Sequence, residues 1–431
     1  MRSHYISDAV KLEEGAEVTV AGWLHELRDI KKIVFAVLRD RSGMIQITAK
    51  RGAVPDEVVD SLINPKETVL QVSGRIAKGK GAKAGVELIP SSVAVLGKVY
   101  DKVPFDVADK EKIPELDVRL DNRHVDLRRP EIQAIFRVRG TVQQAFREYL
   151  LQEGFEEIVP TTIVSAATEG GAELFPIVYF DKEAFLAQSP QLYKQMAVIG
   201  GMDRVFMQSL VYRAEPHSTT THLNEAYQMD IEMGFADDND VMNIEEKVLI
   251  HILKSVAEKR SAELDLLHAT VNVPQSIPRF TYSALVEKLQ ANGEKIEWGD
   301  DFNRAHEKLI GEIVGSEAYF ITKWPTKLRA FYSMPSKENV EVCNAFDLIY
   351  RGLEISSGAQ RIHDPLLLEE QIRGRGLDPA NFEFYIRTFK AGAPPHAGWS
   401  IGAERLTMKI CNLDNIREAT LFPRDMTRLA P

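Results

Sequence analysis

The sequence has few cysteines and no long apolar stretch. Among its 431 residues only Cys343 and Cys411 are cysteines, and no C-x-x-C pair occurs, so neither a structural zinc site nor a disulfide scaffold is expected. No apolar run approaches the ~20 residues of a membrane-spanning helix. The first residues, MRSHYISDAV, lack the apolar core of a signal peptide. We therefore expect a cytoplasmic protein that does not associate with membranes.

The charge is negative overall but unevenly distributed. The net charge is -10, yet the first 100 residues carry 15 Lys+Arg against 12 Asp+Glu, a local balance of +3. The remainder carries -13. The first hundred residues are thus the place to look for a surface that binds a polyanion, although a difference of this size can also arise by chance.

The first hundred residues have the pattern of a small β-barrel. Runs rich in β-branched residues occur at 17–27, 33–38, 43–48, 68–76 and 86–96. The only room for a helix lies after the third run, at Pro55–Ile63. This layout is typical of an OB barrel, a fold that often binds single-stranded nucleic acid. Another small barrel or a sandwich would give a similar pattern.

One apparent phosphate-binding motif in this region does not qualify. Residues 74–80 match G-x-x-x-x-G-K, but a P-loop continues with Ser or Thr and a helix, and Gly81 follows here. We interpret the segment as a flexible basic loop.

The rest of the chain predicts a hinge and a larger mixed domain. Prolines and charges interrupt residues 101–130, and an amphipathic helix is predicted over 131–153. Strands are predicted at 155–160, 205–215, 226–235, 344–358 and 396–406, and helices over 241–259 and 366–374. The predicted class is α+β: a five-stranded OB-fold barrel (1–100), a hinge or linker (101–130), and a domain with a mainly antiparallel sheet flanked by helices (131–431).

Three charged groups form a pattern suited to a nucleotide. Arg213 and Glu215 lie at the predicted end of a strand, and Arg405 at the predicted start of a helix. Arginine forks bind phosphates well, and a helix N-terminus adds a positive dipole end. Glu354 and Ser357, placed around a predicted Ser-Ser-Gly turn, could supply hard oxygens to Mg²⁺. Each arginine taken alone could equally belong to a surface ion pair.

Together these residues resemble the class II aminoacyl-tRNA synthetases, and within them the archaeal/eukaryotic-type aspartyl-tRNA synthetases. The resemblance covers essentially the whole chain. Its motifs are the helix and strand ending at Pro160, Arg213-Ala-Glu215, Arg405 within GAER, ATEGGAELF (167–175), FLAQSPQLYKQ (185–195), EISSGAQR (354–361) and LFPRD (421–425). Ser400 stands where many members have Gly or another small residue.

The resemblance implies an ATP-dependent ligase with assigned site residues. Arg213 and Arg405 would be the catalytic residues. The implied ATP contacts are Arg213, Glu215, Thr221, His222, Leu223, Glu354, Gly402, Ala403, Glu404 and Arg405. The implied aspartate contacts are Glu169, Gln191, Lys194, Arg213, Ser357 and Arg361. Mg²⁺ would be held by Glu354 and Ser357. A lid is expected at 167–173, and a homodimer is expected through the helix at 131–153.

Aspartate is favoured over asparagine on chemical grounds. Lys194 and Arg361 are hydrogen-bond donors only, which suits a β-carboxylate. Asparagine would turn its NH₂ donor toward one of them and leave two positive charges without an anion. Mispaired buried groups of this kind discriminate strongly, by about 10⁴-fold or more.

The barrel would read the tRNA anticodon. The resemblance places anticodon contacts at Arg28, Phe35, Gln46 and Glu87, where Phe35 could stack on a base or simply pack in the core. Choice between tRNA(Asp) and tRNA(Asn) would follow positions 25 and 83. Strict relatives have Trp at the first position and Lys at the second, whereas relaxed relatives have His and Pro. This chain has His25, as in relaxed relatives, and Lys83, as in strict ones. We expect a preference for tRNA(Asp) with measurable charging of tRNA(Asn).

Two rival classes remain open from the sequence. One is a tRNA-independent paralogue similar to asparagine synthetases, which the barrel and its basic loop argue against. The other is a non-catalytic nucleic-acid-binding paralogue, which would be expected to lose Arg213, Glu354 or Arg405.

Overall fold

The computed structural model describes residues 1–79, 81–82, 84–109, 111–165, 173–216 and 219–431. The chain divides into two compact units, Met1–Ile132 and Gln133–Pro431. No helix within the described ranges is long and apolar enough to cross a membrane.

The first unit contains a closed five-stranded barrel. Its elements are α1 (Ile6–Ala9), β1 (Glu17–Asp29), β2 (Ile33–Arg39), β3 (Met44–Lys50), α2 (Asp56–Leu62), β4 (Val69–Lys78), β5 (Val86–Gly97), α3 (Leu116–Asp121) and α4 (Arg123–Asp126). The strand order around the barrel is β1-β2-β3-β5-β4. Alternate residues of β1 to β4 point inward and are buried, so valines, leucines and isoleucines fill the interior. The OB-fold prediction is confirmed, including the helix after the third strand.

The predicted hinge carries local structure of its own. Residues 101–130 include α3 and α4, where Arg119 and Arg123 both form ion pairs with the buried Asp126. This segment belongs to the first compact unit. The predicted domain boundaries at 100 and 130 stay a prediction.

The second unit is built on a large sheet flanked by helices. Helix α5 (Pro130–Gln152) leads into it from the first unit. The strands are β6 (Glu156–Glu157), β7 (Ile163–Val164), β8 (Pro176–Tyr179), β9 (Lys182–Leu186), β10 (Arg204–Tyr212), β11 (Glu225–Gly234), β12 (Arg279–Thr281), β13 (Ala318–Thr322), β14 (Ala345–Tyr350), β15 (Glu354–Gln360) and β16 (His396–Gly402). The further helices are α6 (Gln191–Ala197), α7 (Asp238–Lys259), α8 (Ser261–Leu266), α9 (Tyr282–Ala291), α10 (Arg304–Val314), α11 (Pro365–Gly374), α12 (Glu383–Lys390) and α13 (Ala403–Ile410). A π-helical turn (Val198–Met202) and 3₁₀ turns (Thr326–Leu328, Pro379–Phe382, Ile416–Ala419) complete the set.

The main sheet is eight-stranded and mainly antiparallel, as predicted. Its order is β12-β13-β14-β15-β16-β11-β10-β6, and only the outer pairs β12–β13 and β10–β6 are parallel. Strands β7, β9 and β8 form a separate small sheet. The predicted α+β class is therefore confirmed.

One predicted turn is wrong. The Ser-Ser-Gly segment at 356–358 lies inside β15, and the predicted long strand at 344–358 is in fact a hairpin of β14 and β15. The chain reverses at Arg351 and Gly352, which have φ angles of 49° and 67°. Gly358 is needed for close packing, since a Cβ atom there would collide with the ring of Phe346 and the Cβ atom of Trp399.

Trp399 anchors the packing behind the centre of the sheet. It is fully buried in β16, and its indole N–H donates a hydrogen bond of 2.9 Å to the carbonyl of Val241 in α7. The ring of Phe146 from α5 contacts both Trp399 and Phe206 edge-on. These contacts fix the strands whose other residues line the cavity described next.

Candidate active site

A cavity of about 510 Å³ opens among β10, β11, β15, β16, α6 and α13. It brings together residues that lie far apart in the sequence. The predicted site residues that line it are Gln191, Lys194, Arg213, Glu215, Thr221, His222, Leu223, Glu354, Ser357, Arg361, Gly402, Glu404 and Arg405. Ala403 does not line it and is fully buried at the start of α13. Glu169 and most of the predicted lid lie outside the described residues.

The β10–β11 hairpin positions the first arginine. Arg213 follows β10 directly, and its backbone N–H donates to the carbonyl of Asn224 over 2.9 Å. The Asn224 side chain donates back to the carbonyl of Arg213 over 2.7 Å. These two bonds close the mouth of the hairpin and hold the backbone of Arg213 at the cavity wall.

The second arginine approaches the hairpin from α13. Arg405 donates to the Glu354 carbonyl over 3.0 Å, and its Nη2 lies 3.4 Å from Nε2 of His222. Burial lowers the pKa of His222; Glu215 opposes the shift, while Arg405 and Arg213 add to it. With His222 neutral, Arg213 and Arg405 supply positive charge at this end of the cavity, and arginine is well suited to bind phosphate.

Glu354 and Ser357 line the same cavity, and the buried Asp347 lies next to them. Glu354 lies 3.6 Å from Arg405, and Ser357 stands directly opposite Asp347 in the β14–β15 pair. Burial, with a contribution from Glu354, raises the pKa of Asp347 to about 7, although Arg329 opposes the shift by donating a hydrogen bond to it. Oδ1 of Asp347 is buried and has no hydrogen-bond partner among the described residues. Such oxygens suit Mg²⁺, whereas the described part of the chain contains no cluster of three His, Cys, Asp or Glu side chains fit to hold a metal.

The opposite end of the cavity holds a buried network of four charges. Lys194 Nζ donates to Asp230 over 2.8 Å and lies 3.7 Å from Glu232. Arg361 forms a two-pronged pair with Glu232, at 3.0 and 3.2 Å. All four side chains are almost completely buried.

This pairing corrects the charge argument made from the sequence. Lys194 and Arg361 already have anionic partners, so asparagine would not leave two cations without an anion. Burial raises the pKa of Asp230 against the effect of Lys194. Burial also acts to raise the pKa of Glu232, but Arg361 and Lys194 outweigh it, so that pKa lies below its ordinary value.

Glu404 is held in place by the protein itself. It pairs with Arg139 at 2.5 Å and accepts a hydrogen bond from the backbone N–H of Tyr227 at 3.0 Å. This side chain lines the cavity, and its contacts fasten α13 to α5 and β11.

A second cavity, of about 440 Å³, lies on the barrel of the first unit. The predicted residues His25, Arg28, Phe35 and Gln46 line it. Glu87 does not, but it accepts hydrogen bonds from Gln46 and Thr48 at 3.0 and 2.6 Å and so orients the Gln46 amide. His25 accepts a bond of 2.6 Å from Arg39 through Nδ1. Lys83 lies outside the described residues.

Two family models match successive parts of the chain. The model described as "tRNA synthetases class II (D, K and N)" matches residues 115–426. The model "OB-fold nucleic acid binding domain" matches residues 18–96. The chain belongs to the class II tRNA synthetases.

Relatives of this synthetase match along its whole length. It is 47% identical to "Aspartate--tRNA(Asp/Asn) ligase" of Methanocaldococcus jannaschii, covering 100% of this chain and 98% of the relative. It is 45% identical to "Aspartate--tRNA(Asp) ligase" of Pyrococcus abyssi, covering all of both. Its fold is similar to that of asparaginyl-tRNA synthetase from Pyrococcus horikoshii complexed with asparaginyl-adenylate, with a TM-score of 0.94, 31% identity and 99% of each chain covered.

Several residues in and around the synthetase cavity were not predicted from the sequence. Asp347 and Arg329 lie beside the predicted metal ligands, and Asp230 and Glu232 hold the two cations. A signal was present in two cases, because Asp347 interrupts the buried strand AFDLIY and Asp230 and Glu232 interrupt QMDIEM. A charged residue in an otherwise buried strand indicates a partner or a function.

Proposed function

We propose that this synthetase is an aspartate–tRNA ligase. It joins L-aspartate to ATP, giving aspartyl-adenylate and pyrophosphate, and then transfers the aspartyl group to the 3′ end of tRNA(Asp). The observation that carries the proposal is that one cavity is lined by Arg213 and Arg405, by Glu354 and Ser357, and by Lys194 and Arg361, which are the groups expected to contact ATP, Mg²⁺ and aspartate. The full-length relatives named as aspartate–tRNA ligases support it.

The first step needs no protein nucleophile. An oxygen of the aspartate α-carboxylate attacks the α-phosphorus of ATP, and the bond to the bridging oxygen breaks as pyrophosphate leaves. Catalysis then consists of alignment and stabilisation of charge. Arg213 would hold the α-phosphate with the substrate carboxylate, and Arg405 the γ-phosphate, beside Gly402 and Ala403 at the start of α13.

The adenine and the metal would lie on the two sides of these two arginines. Glu215 and Leu223 would contact the base, while Thr221 and His222 would approach the phosphates. Glu354 and Ser357 would hold Mg²⁺, with Asp347 completing the oxygen set. Bound Mg²⁺ would neutralise phosphate charge as the pyrophosphate leaves.

The second step transfers the acyl group to tRNA. A hydroxyl of the terminal ribose attacks the carbonyl carbon of the adenylate, and AMP leaves. Recognition of the tRNA would begin at the barrel, where Phe35 can stack on an unpaired base and Gln46 can bond a base edge. Glu87 keeps the Gln46 amide in one orientation, and Arg28 is exposed beside it.

Aspartate-dependent exchange between ATP and pyrophosphate, followed by charging of tRNA transcripts, tests this function. We expect exchange with aspartate, far less with asparagine, and charging of tRNA(Asp). Exchange without charging would favour the tRNA-independent paralogue. Absence of exchange would favour the non-catalytic paralogue and overturn the proposal.

We further propose that tRNA(Asn) is charged measurably but less well than tRNA(Asp). The anticodons differ at the third base, C or U, and both bases offer an O2 acceptor. Because the Arg39 guanidinium can only donate, Nδ1 of His25 is an acceptor and Nε2 carries the proton. Burial and Arg39 lower the pKa of His25, which keeps the ring neutral. A single N–H donor can serve either pyrimidine.

The ratio of kcat/KM for the two transcripts, in wild type and His25→Trp, checks this proposal. We expect His25→Trp to reduce charging of tRNA(Asn) more than that of tRNA(Asp), because the larger ring presses on the wrong base. If wild type already rejects tRNA(Asn) and the substitution changes nothing, His25 does not discriminate.

A further inference from the structure

A line of buried amides and rings runs from the protein interior to the cavity beside Lys194. It consists of Pro394, His396, Gln195 and Gln191, with Tyr385 joining from the side. The side chains of Gln195, His396 and Tyr385 are fully buried, and only Gln191 lines the cavity. None of the three buried residues touches the space that a substrate would fill.

The carbonyl at one end of this line determines the direction of every hydrogen bond in it. The Pro394 carbonyl can only accept, so Nδ1 of His396, 2.8 Å away, carries the proton. Burial lowers the pKa of His396, and Arg361 adds to this, although Glu232 opposes it. The ring is therefore neutral, and Nε2 is an acceptor.

The orientation of the Gln195 amide follows from the acceptor on His396. Its Nε2 lies 2.9 Å from the accepting Nε2 of His396 and must donate to it. Its Oε1 is then left as the acceptor for Tyr385, at 2.8 Å, and for Gln191, at 2.9 Å. Since an amide oxygen can only accept, Gln191 must present its Nε2 to Gln195.

The consequence appears at the cavity. With Nε2 of Gln191 turned inward, its Oε1 is the group left for a ligand, and it accepts no hydrogen bond from the residues that the structure describes. A protonated α-amino group can only donate hydrogen bonds. It would therefore bind the Gln191 oxygen, whereas the NH₂ group of a reversed Gln191 amide would leave it without an acceptor.

We infer that Gln195 and His396 are positioning residues for the amino-acid substrate: they lock the Gln191 amide with its oxygen toward the substrate ammonium. The selectivity for an amino acid over the same diacid without an ammonium group thus depends partly on two residues that do not contact it. This inference rests on the proposed activation of aspartate.

The test compares L-aspartate with succinate, which has two carboxylates but no ammonium. Calorimetric titration of the full-length protein gives both dissociation constants for wild type, Gln195→Met and Tyr385→Phe. For Gln195→Met we expect the constant for aspartate to rise about tenfold and that for succinate to stay unchanged, because only the ammonium contact is lost. Tyr385→Phe is the matched control, since it removes a bond to Gln195 without reversing the amide, and its ratio of the two constants should equal that of wild type.

A second measurement applies if Gln195→Met does not fold. In wild-type protein with ¹⁵N-labelled histidine, NMR should show His396 protonated at Nδ1 and unprotonated at Nε2, the signal being assigned with His396→Gln. Protonation at Nε2, or equal weakening of both ligands in folded Gln195→Met, overturns the inference. Wild type that binds no aspartate at all would instead refute the proposed function, so the two failures are distinguishable.

Discussion

Arg405 stands in the first turn of α13, where its guanidinium reaches Glu354 and His222. Arg405→Ala should reduce ATP–pyrophosphate exchange by at least about 10²-fold, because a preorganised donor to the developing phosphate charge is lost. Thermal stability and tRNA affinity should stay near wild type. The control is Arg373→Ala, which removes an exposed arginine paired with Glu369 on α11. Normal exchange in Arg405→Ala would refute its assignment.

Glu245 on α7 is fully buried, and burial raises its pKa from 4.5 to about 8, with Asp347 adding to the shift. The folded state therefore keeps a proton that the unfolded state releases. Stability should fall as pH rises between about 4.5 and 8, by up to about 1.4 kcal/mol per pH unit.

Glu245→Gln should remove that part of the pH dependence. Denaturant unfolding of wild type and variant at pH 6 and pH 8 measures the difference. Glu258→Gln, at an exposed position of the same helix, is the control and should follow wild type. Parallel pH profiles for Glu245→Gln and wild type would show that Glu245 is ionised in the fold.

At the scale of elements, local patterns predicted the strands well and their connections less well. The five barrel strands and α5 follow directly from alternation and helical spacing. The Ser-Ser-Gly segment was misread as a turn because glycine commonly marks turns, whereas Gly358 serves close contact with Phe346 and Trp399. Whether a glycine marks a turn or allows close packing depends on residues of neighbouring strands. A local sequence pattern does not show those residues.

The charged network shows the same limit at longer range. Lys194 and Arg361 could be assigned to a carboxylate from their chemistry and their motifs. Their partners Asp230 and Glu232 lie 36 and 129 positions away and meet them only when α6, β11 and β15 assemble. A balance of charge therefore could not be computed before the fold was known.

Gly358→Ala tests the packing of β15. The added methyl would press on the buried ring of Phe346 and on the Cβ atom of Trp399, so we expect a loss of about 1–3 kcal/mol of stability. Exchange activity should fall as well, because Ser357 and Glu354 lie on the displaced strand. Gly374→Ala is the control: the space around Gly374 is open at the end of α11, and helical alanine is favoured. Equal stability of Gly358→Ala and wild type would show that β15 accommodates the methyl group.

At the scale of the whole molecule we expect a homodimer. The helix predicted at 131–153 is present as α5, and Val159 beside Pro160 is 93% exposed in the single chain. Phe180, at the turn between β8 and β9, is 85% exposed. Large apolar side chains at such exposure favour burial against another chain.

Sedimentation velocity across a range of concentrations measures the assembly. Wild type should sediment as a dimer, and Val159→Asp should shift it toward monomer because a charge cannot be buried unpaired at an apolar interface. Val340→Asp is the control, since Val340 is also exposed but lies outside the helix predicted to form the interface and the segment that follows it. Exchange assays on the same samples decide whether activity follows the dimer. A stable and fully active wild-type monomer would contradict the prediction, since the segment ending at Pro160 would then have no partner to cover it.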